Sequence, residues 1–192
     1  MSLLNKRRDF FSIMISILDI VHDTMVDGPG FRTSIYCAGC SNACPGCHNP
    51  QSWDINNGKL MTTKEIMDII KADPFANVTF SGGDPMFQPE GFTELADAIR
   101  TETAKTIWCF TGFNYETLIK NHAQKSLLEK IDVLVDGPFV LNLRDTDLIF
   151  RGSSNQRIID VKKSLDQGAV IIWDKLNDGQ TNYEQVDRKD ML

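Results

Sequence analysis

Apolar positions along this chain follow two alternating spacings. Ile15–Val21 and Phe31–Cys37 are short apolar runs and read as strands. Further on the spacing becomes helical: Ile66, Met67, Ile69 and Ile70 share one face of a segment running to about Ala72, and Thr63 is placed to cap its start. Asn77–Phe80 predicts a short strand. Phe92, Leu95, Ala96 and Ile99 predict a helix over Glu90–Arg100. Thr106–Phe110 reads as a strand, Tyr115–Lys130 as largely helical, and Ile131–Val135 as a strand again. Leu148–Arg151 is a weaker strand signal. Ile158–Leu165 predicts a short helix, and Ala169–Trp173 the last strand. The polar tail from Asp174 predicts a frayed end.

Strands that alternate with helices imply an α/β domain with a mainly parallel sheet. The polar motifs fall in register with that scheme. A cysteine cluster follows Phe31–Cys37, and Ser81-Gly82-Gly83-Asp84-Pro85 follows Asn77–Phe80. Thr111-Gly112 follows Thr106–Phe110, and Asp136-Gly137 follows Ile131–Val135. All four stand at the C-terminal ends of strands. In a parallel sheet those ends share one edge, where ligands bind. Order along the chain alone therefore gathers four motifs into one site.

Length and composition add limits. The chain has 192 residues, enough for one domain with a buried core, and the expectation is a single domain over 1–192. Hydrophobic residues make up 42% and charged residues 24%, the balance of a globular protein. A net charge of −6 gives no footprint for nucleic acid. Lys6, Arg7 and Arg8 precede an apolar run from Phe10 to Leu18, which loosely resembles a secretion signal. Asp19 follows at once, no small-residue cleavage site is present, and the run is too short to span a bilayer. Residues 1–16 read as a leader into the first strand, residues 174–192 as a tail, and the expectation is a cytoplasmic protein with no membrane partner.

Five cysteines are present, and four crowd into eleven residues: Cys37, Cys40, Cys44 and Cys47. An odd count argues against a disulfide framework and points to metal or redox chemistry. Thiolates suit iron–sulfur clusters and zinc. If Cys40, Cys44 and Cys47 hold a four-iron cluster, one iron keeps an open position, as a reactive metal site requires. With Cys37 included the run also allows a structural zinc site or a ferredoxin-like electron carrier. Zinc knuckles have a longer central loop than Ser41-Asn42-Ala43, and the ferredoxin spacing is not met. Cys37 also reads as a buried strand residue, and Cys109 as core. His22, His122, Trp53, Trp108 and Trp173 have plain structural readings, and Arg32 could be a salt-bridge partner.

Paired glycines at 82 and 83 let a backbone approach a ligand, and Asp84 can accept from an ammonium group. Cys40-x3-Cys44-x2-Cys47 followed by Gly82-Gly83-Asp84 resembles the radical S-adenosylmethionine (SAM) superfamily. Val26-Asp27-Gly28-Pro29-Gly30-Phe31-Arg32 resembles the entry motif of glycyl-radical enzyme activases. Trp108–Phe113, Asp132–Phe139 and Arg151–Arg157 narrow the likeness to the group that activates anaerobic ribonucleoside-triphosphate reductase. The likeness runs from about Ile17 to Arg157. Gly46 departs from the aromatic residue that many superfamily members carry there, and Asp84 stands where Glu is commoner.

The resemblance implies a partial (β/α) barrel of mainly parallel strands. It implies a 4Fe–4S cluster on Cys40, Cys44 and Cys47, with SAM bound at the open iron. Electron entry would cleave SAM to methionine and a 5′-deoxyadenosyl radical, which takes a hydrogen atom from a glycine of the partner reductase. A low-potential donor such as flavodoxin would supply the electron. Carried over by motif, Gly82, Gly83 and Asp84 receive the methionine amino group, and Gly46 and His48, flanking Cys47, lie against SAM. Thr111 and Asn155 are further SAM-side candidates, and Asp136 and Arg151 candidates for the site or the partner surface. Activation of another glycyl-radical enzyme, such as pyruvate formate-lyase, is the nearest alternative. A non-catalytic iron–sulfur carrier or zinc module is the alternative of a different class.

Overall fold

The computed structural model describes residues 13–174. The leader before residue 13 and the tail after residue 174 lie outside the described residues.

The chain builds β1 (Met14–Thr24), β2 (Arg32–Cys37), β3 (Lys59–Thr62), α1 (Thr63–Ala72), β4 (Asn77–Gly82), α2 (Pro89–Glu102), β5 (Ile107–Phe110), α3 (Tyr115–Leu118), α4 (His122–Leu128), β6 (Val133–Asp136), β7 (Arg157–Asp160) and α5 (Val161–Gln167). The strands form one seven-stranded sheet in the order β3-β1-β2-β4-β5-β6-β7. The ends of that order are β3 and β7, which do not pair, so the sheet is open. β2, β4, β5 and β6 run parallel, with Cys37 opposite Gly82 and Phe110 opposite Val135. The C-terminal ends of these four strands therefore do share one edge.

Outside that block the expectation of a mainly parallel sheet needs correction. β1 is antiparallel to β2 and to β3, and β7 is antiparallel to β6. The reason is the connections. Parallel neighbours need a long crossover, which α1, α2 and the α3–α4 pair supply. No α-helix returns the chain between β1 and β2 or between β6 and β7, where the one-turn 3-10 helix Leu141–Leu143 is too short to do so, and the chain comes back reversed.

Several elements differ from the sequence pattern. Helix α1 is capped by Thr62 rather than Thr63: the Thr62 side chain accepts from Glu65 N, and the Glu65 carboxylate accepts from Thr62 N. The helical stretch after Tyr115 breaks in two at Asn121, whose side chain caps the second piece. Residues 157–160 are strand β7 and not the start of a helix. Leu148–Arg151 forms no strand, and the expected last strand is reduced to a single bridge between Ile159 and Ile172.

Alternation along the strands sorts the side chains onto two faces. One face carries Ile35, Cys37, Val78, Phe80, Ile107, Cys109, Leu134 and Ile159 and packs on Ile66, Ile70, Phe92, Leu95, Ile99, Leu127 and Leu128 of the helices. The other carries Trp108, Val133 and Val135, covered by Phe150 and Trp173. Trp173 and Phe150 meet the Trp108 ring edge-on at 5.1 and 5.5 Å. Among the described residues no helix is long and apolar enough to cross a membrane.

Candidate functional site

The C-terminal edge of β2 turns directly into the cysteine loop. Gly39 (φ +92°), Ala43 (φ +43°) and Gly46 (φ +75°) adopt left-handed backbone, which winds the loop tightly. Backbone bonds anchor its root: Ala38 N donates to Ser16 O, Gly39 N to Ser52 O, and Cys40 N to Trp53 O. Gln88 ties the same root to β1 by donating from Nε2 to Ser16 O and Ala38 O.

Cys40, Cys44 and Cys47 are free thiols, each partly exposed. Hydrogen bonds already point at two of the sulfurs: Asn49 N lies 3.4 Å from Cys47 Sγ, and Asn42 Nδ2 lies 3.8 Å from Cys40 Sγ. Such donors favour thiolate ligands. Burial pushes the Cys40 thiol above its ordinary range, and Asp84 adds to that, while the nearby Asn42 and Ala43 groups oppose it. Among the described residues no three His, Cys, Asp or Glu side chains are grouped as one ion would need. A cluster makes a different demand, because each thiolate binds a different iron. Three partly exposed thiols on one tightly wound loop, with donors aimed at two of the sulfurs, fit that demand.

Cys37 is different in kind. It lies in β2 inside the main core, and its exposure is 0%. Burial pushes its thiol up, with Asp84 contributing. Cys109 is equally buried and also shifted up by burial. Both match the reading of cysteine as a core residue.

The Gly82–Asp84 segment leaves β4 and locks against the cysteine loop. Gly83 N donates to Cys37 O at 2.7 Å, and Asp84 N to Gly39 O at 2.9 Å. A methyl on Gly82 (φ +100°) would come 2.4 Å from Cys37 N, and one on Gly83 would come 2.5 Å from Gly39 O. Only glycine permits this approach.

Asp84 was expected to offer its carboxylate to an ammonium group. In the structure it has 0% exposure, and protein donors surround it. Oδ1 accepts from Met86 N (3.0 Å) and from the Thr111 hydroxyl (2.8 Å). Oδ2 accepts from Asn42 Nδ2 and Gly112 N, each at 3.0 Å. Burial pushes the carboxyl up to about 6, against the pull of these donors. The carboxylate is a knot joining the cysteine loop, β4 and β5.

The remaining candidates fall in several places. Gly46 sits beneath Leu141, whose Cδ1 is 2.9 Å from where a methyl would stand. The exposed His48 ring lies 5.1 Å from that of Phe139. The Thr111 hydroxyl is engaged by Asp84, and the Asn155 amide donates to Pro138 O at 2.8 Å. Asp136 is buried and accepts from Arg157 and from Tyr115 N. Arg151 donates to Gln156 O. Among the described residues Arg32 has hydrogen-bond and ring partners in place of the expected salt bridge. It is buried at the start of β2, the opposite end from the cysteines, bonded to Thr79 Oγ1 and Val78 O and stacked 5.5 Å from the Trp108 ring. Burial lowers its guanidinium to about 10. Asn42 and Gln88 are the polar residues of the site that the sequence did not single out. Nothing local marks either of them, because their bonds to Asp84, Ser16 and Ala38 reach tens of residues along the chain.

Comparison with known proteins agrees with this picture. A family model described as a 4Fe–4S single cluster domain matches residues 26–159. The chain is similar to the anaerobic ribonucleoside-triphosphate reductase-activating protein of Escherichia coli, with 40% identity over 142 residues, 69% of this chain and 90% of the relative. The protein of the same name from Salmonella typhimurium is 39% identical over the same shares. That from Vibrio cholerae is 37% identical over 143 residues, 70% of this chain and 90% of the relative. Matches of that extent, on a chain whose cysteine loop meets its Gly82–Asp84 segment at the sheet edge, settle the kinship: the chain belongs to the 4Fe–4S family of anaerobic ribonucleoside-triphosphate reductase-activating proteins.

Proposed function

We propose that this chain is a radical SAM activase that installs a glycyl radical on anaerobic ribonucleoside-triphosphate reductase. Its kinship with activating proteins of that reductase supports the partner. The observation that carries the chemistry is the lock between the cysteine loop and the Gly82–Asp84 segment through Gly83 N and Asp84 N.

In this reading Cys40, Cys44 and Cys47 hold a 4Fe–4S cluster, and the SAM methionyl group lies against the backbone of Gly82, Gly83 and Asp84. When bound, the cluster supplies the electron that splits SAM into methionine and the 5′-deoxyadenosyl radical. The protein supplies position. Gly82 and Gly83 carry no side chain, so this backbone edge can press against Cys37 and Gly39 and stand directly beside the cysteine loop where the cosubstrate would bind. Gly46 and His48 border the same space beside Cys47. Thr111 and Asn155 act there indirectly, through Asp84 and Pro138, the groups their side chains hold. The open sheet is read as a partial barrel, and one domain carries the whole site. A flavodoxin-type donor and a cytoplasmic setting complete the proposal.

Anaerobic reconstitution tests it. The loaded protein should contain four irons and four sulfides, and should cleave SAM once reduced. Mixed with the reductase it should yield a glycyl radical by electron paramagnetic resonance (EPR). A radical on another glycyl-radical enzyme and none on the reductase would overturn the choice of partner. A cluster that never cleaves SAM would leave an electron carrier, and one bound zinc with no iron a structural module.

A further inference from the structure

The Asn42 carboxamide stands between two acceptors. Its Nδ2 is 3.0 Å from Asp84 Oδ2 and 3.8 Å from Cys40 Sγ. An amide nitrogen carries two hydrogens and accepts nothing. Both neighbours accept, so only the amino end of the side chain suits this position, and one hydrogen serves each. The amide has little room to move: a methyl on Gly112 would come 2.3 Å from Nδ2. Asp84 cannot turn away either, since Met86 N, Gly112 N and the Thr111 hydroxyl hold its other lone pairs.

We propose that Asn42 is a positioning residue whose amino group clamps the Cys40 sulfur to the buried Asp84 carboxylate, fixing the cysteine loop against the Gly82–Asp84 segment. This rests on the reading of Cys40 as an iron ligand and of Gly82–Asp84 as the SAM-binding edge. It reassigns the Asp84 side chain, which serves the loop and has no free face for an ammonium group. A thiolate and a carboxylate in this proximity repel each other; two amide hydrogens between them turn that repulsion into two charge-assisted hydrogen bonds. An N–H donor to a ligating sulfur also favours the reduced, more negative cluster, which raises its potential.

The test compares anaerobically reconstituted full-length protein with Asn42→Leu, Asn42→Asp and Gly112→Ala. Iron and sulfide content, cluster midpoint potential, the EPR signal with and without SAM, and KM against kcat for SAM cleavage are measured. Asn42→Leu should keep its iron, show a lower potential and an altered SAM-dependent signal, and raise KM for SAM roughly tenfold, the loss of about one charge-assisted hydrogen bond, with a smaller effect on kcat. Asn42→Asp has the same shape but no donor and a new charge, so its potential should fall further. Gly112→Ala displaces the amide without removing it and should reproduce the Asn42→Leu shift, even if Asn42→Leu loads poorly. Iron-replete Asn42→Leu and Gly112→Ala with wild-type potential and wild-type SAM response would overturn the clamp and leave the cofactor assignment standing. Wild-type protein that assembles no cluster would overturn both.

Discussion

Asp84 has no exposed surface, and every hydrogen bond it makes comes from the protein. Its carboxyl is raised to about 6 from an ordinary value near 4. The folded chain thus holds this proton more tightly than the unfolded chain does. The group's contribution to stability is complete below about pH 4 and is lost as pH rises through about 6. In cluster-free protein, carboxyl chemical shifts should titrate near 6. Stability between pH 4 and 6 should also fall more steeply in wild type than in Asp84→Asn. The cysteines divide by the same criterion of burial. Cys37→Ala should cost about 1 kcal/mol of core packing and keep the cluster and SAM cleavage. Cys40→Ala should lose both, as iron analysis and the cleavage assay will report. The candidate ligand spacing was legible in the sequence because three cysteines lie within one short loop. The placing of Asn42 was not: its meaning depends on Asp84, in the loop after β4 and 42 residues away.

At the scale of elements, what the sequence made legible depended on how many residues voted. Helices α1 and α2 have several apolar positions each, and their centres agree with the pattern. The cap of α1 is decided by one residue, and two adjacent threonines compete for it. Thr62 wins because Glu65 lies three residues on and closes the reciprocal bond. Thr62→Ala should cost about 1 kcal/mol in a denaturant melt and leave the cysteine loop untouched, whereas Thr63→Ala should not disturb the cap. Strand β7 is only four residues long, where an apolar run does not separate strand from helix. Its neighbour β6 decides the matter by pairing with it in antiparallel register. The short strand β3 went unread for the same reason; it exists because β1 offers an edge.

For the whole molecule, function is separated from the material that holds the fold together. The main core lies between the sheet and the helices, and Cys40, Cys44 and Cys47 are not among its residues. Cluster removal should therefore leave the sheet intact. Chelation should bleach the iron–sulfur absorbance and leave far-ultraviolet circular dichroism within a few per cent of its starting value, by a rough estimate from how few ordered residues the loop contributes. The parallel block was legible as a whole, because four motifs at four strand ends needed a common edge. Its antiparallel flanks were not, because strand direction depends on whether a helix returns the chain, and the loops after β1 and β6 give no sign of that.

The knot at Asp84 also imposes an order of events. Its donors come from Asn42, Met86, Thr111 and Gly112, spread over seventy residues of chain. They meet only after β2, β4 and β5 have paired through two crossovers, the slow, non-local part of folding such a sheet. A nascent chain exposes Cys40, Cys44 and Cys47 long before Gly112 leaves the ribosome. Iron delivered then would find thiols on an unanchored loop. Cluster insertion should therefore succeed best after the third parallel strand is seated, and iron and sulfide added to refolded protein should load more of it than the same amounts added to the unfolded chain.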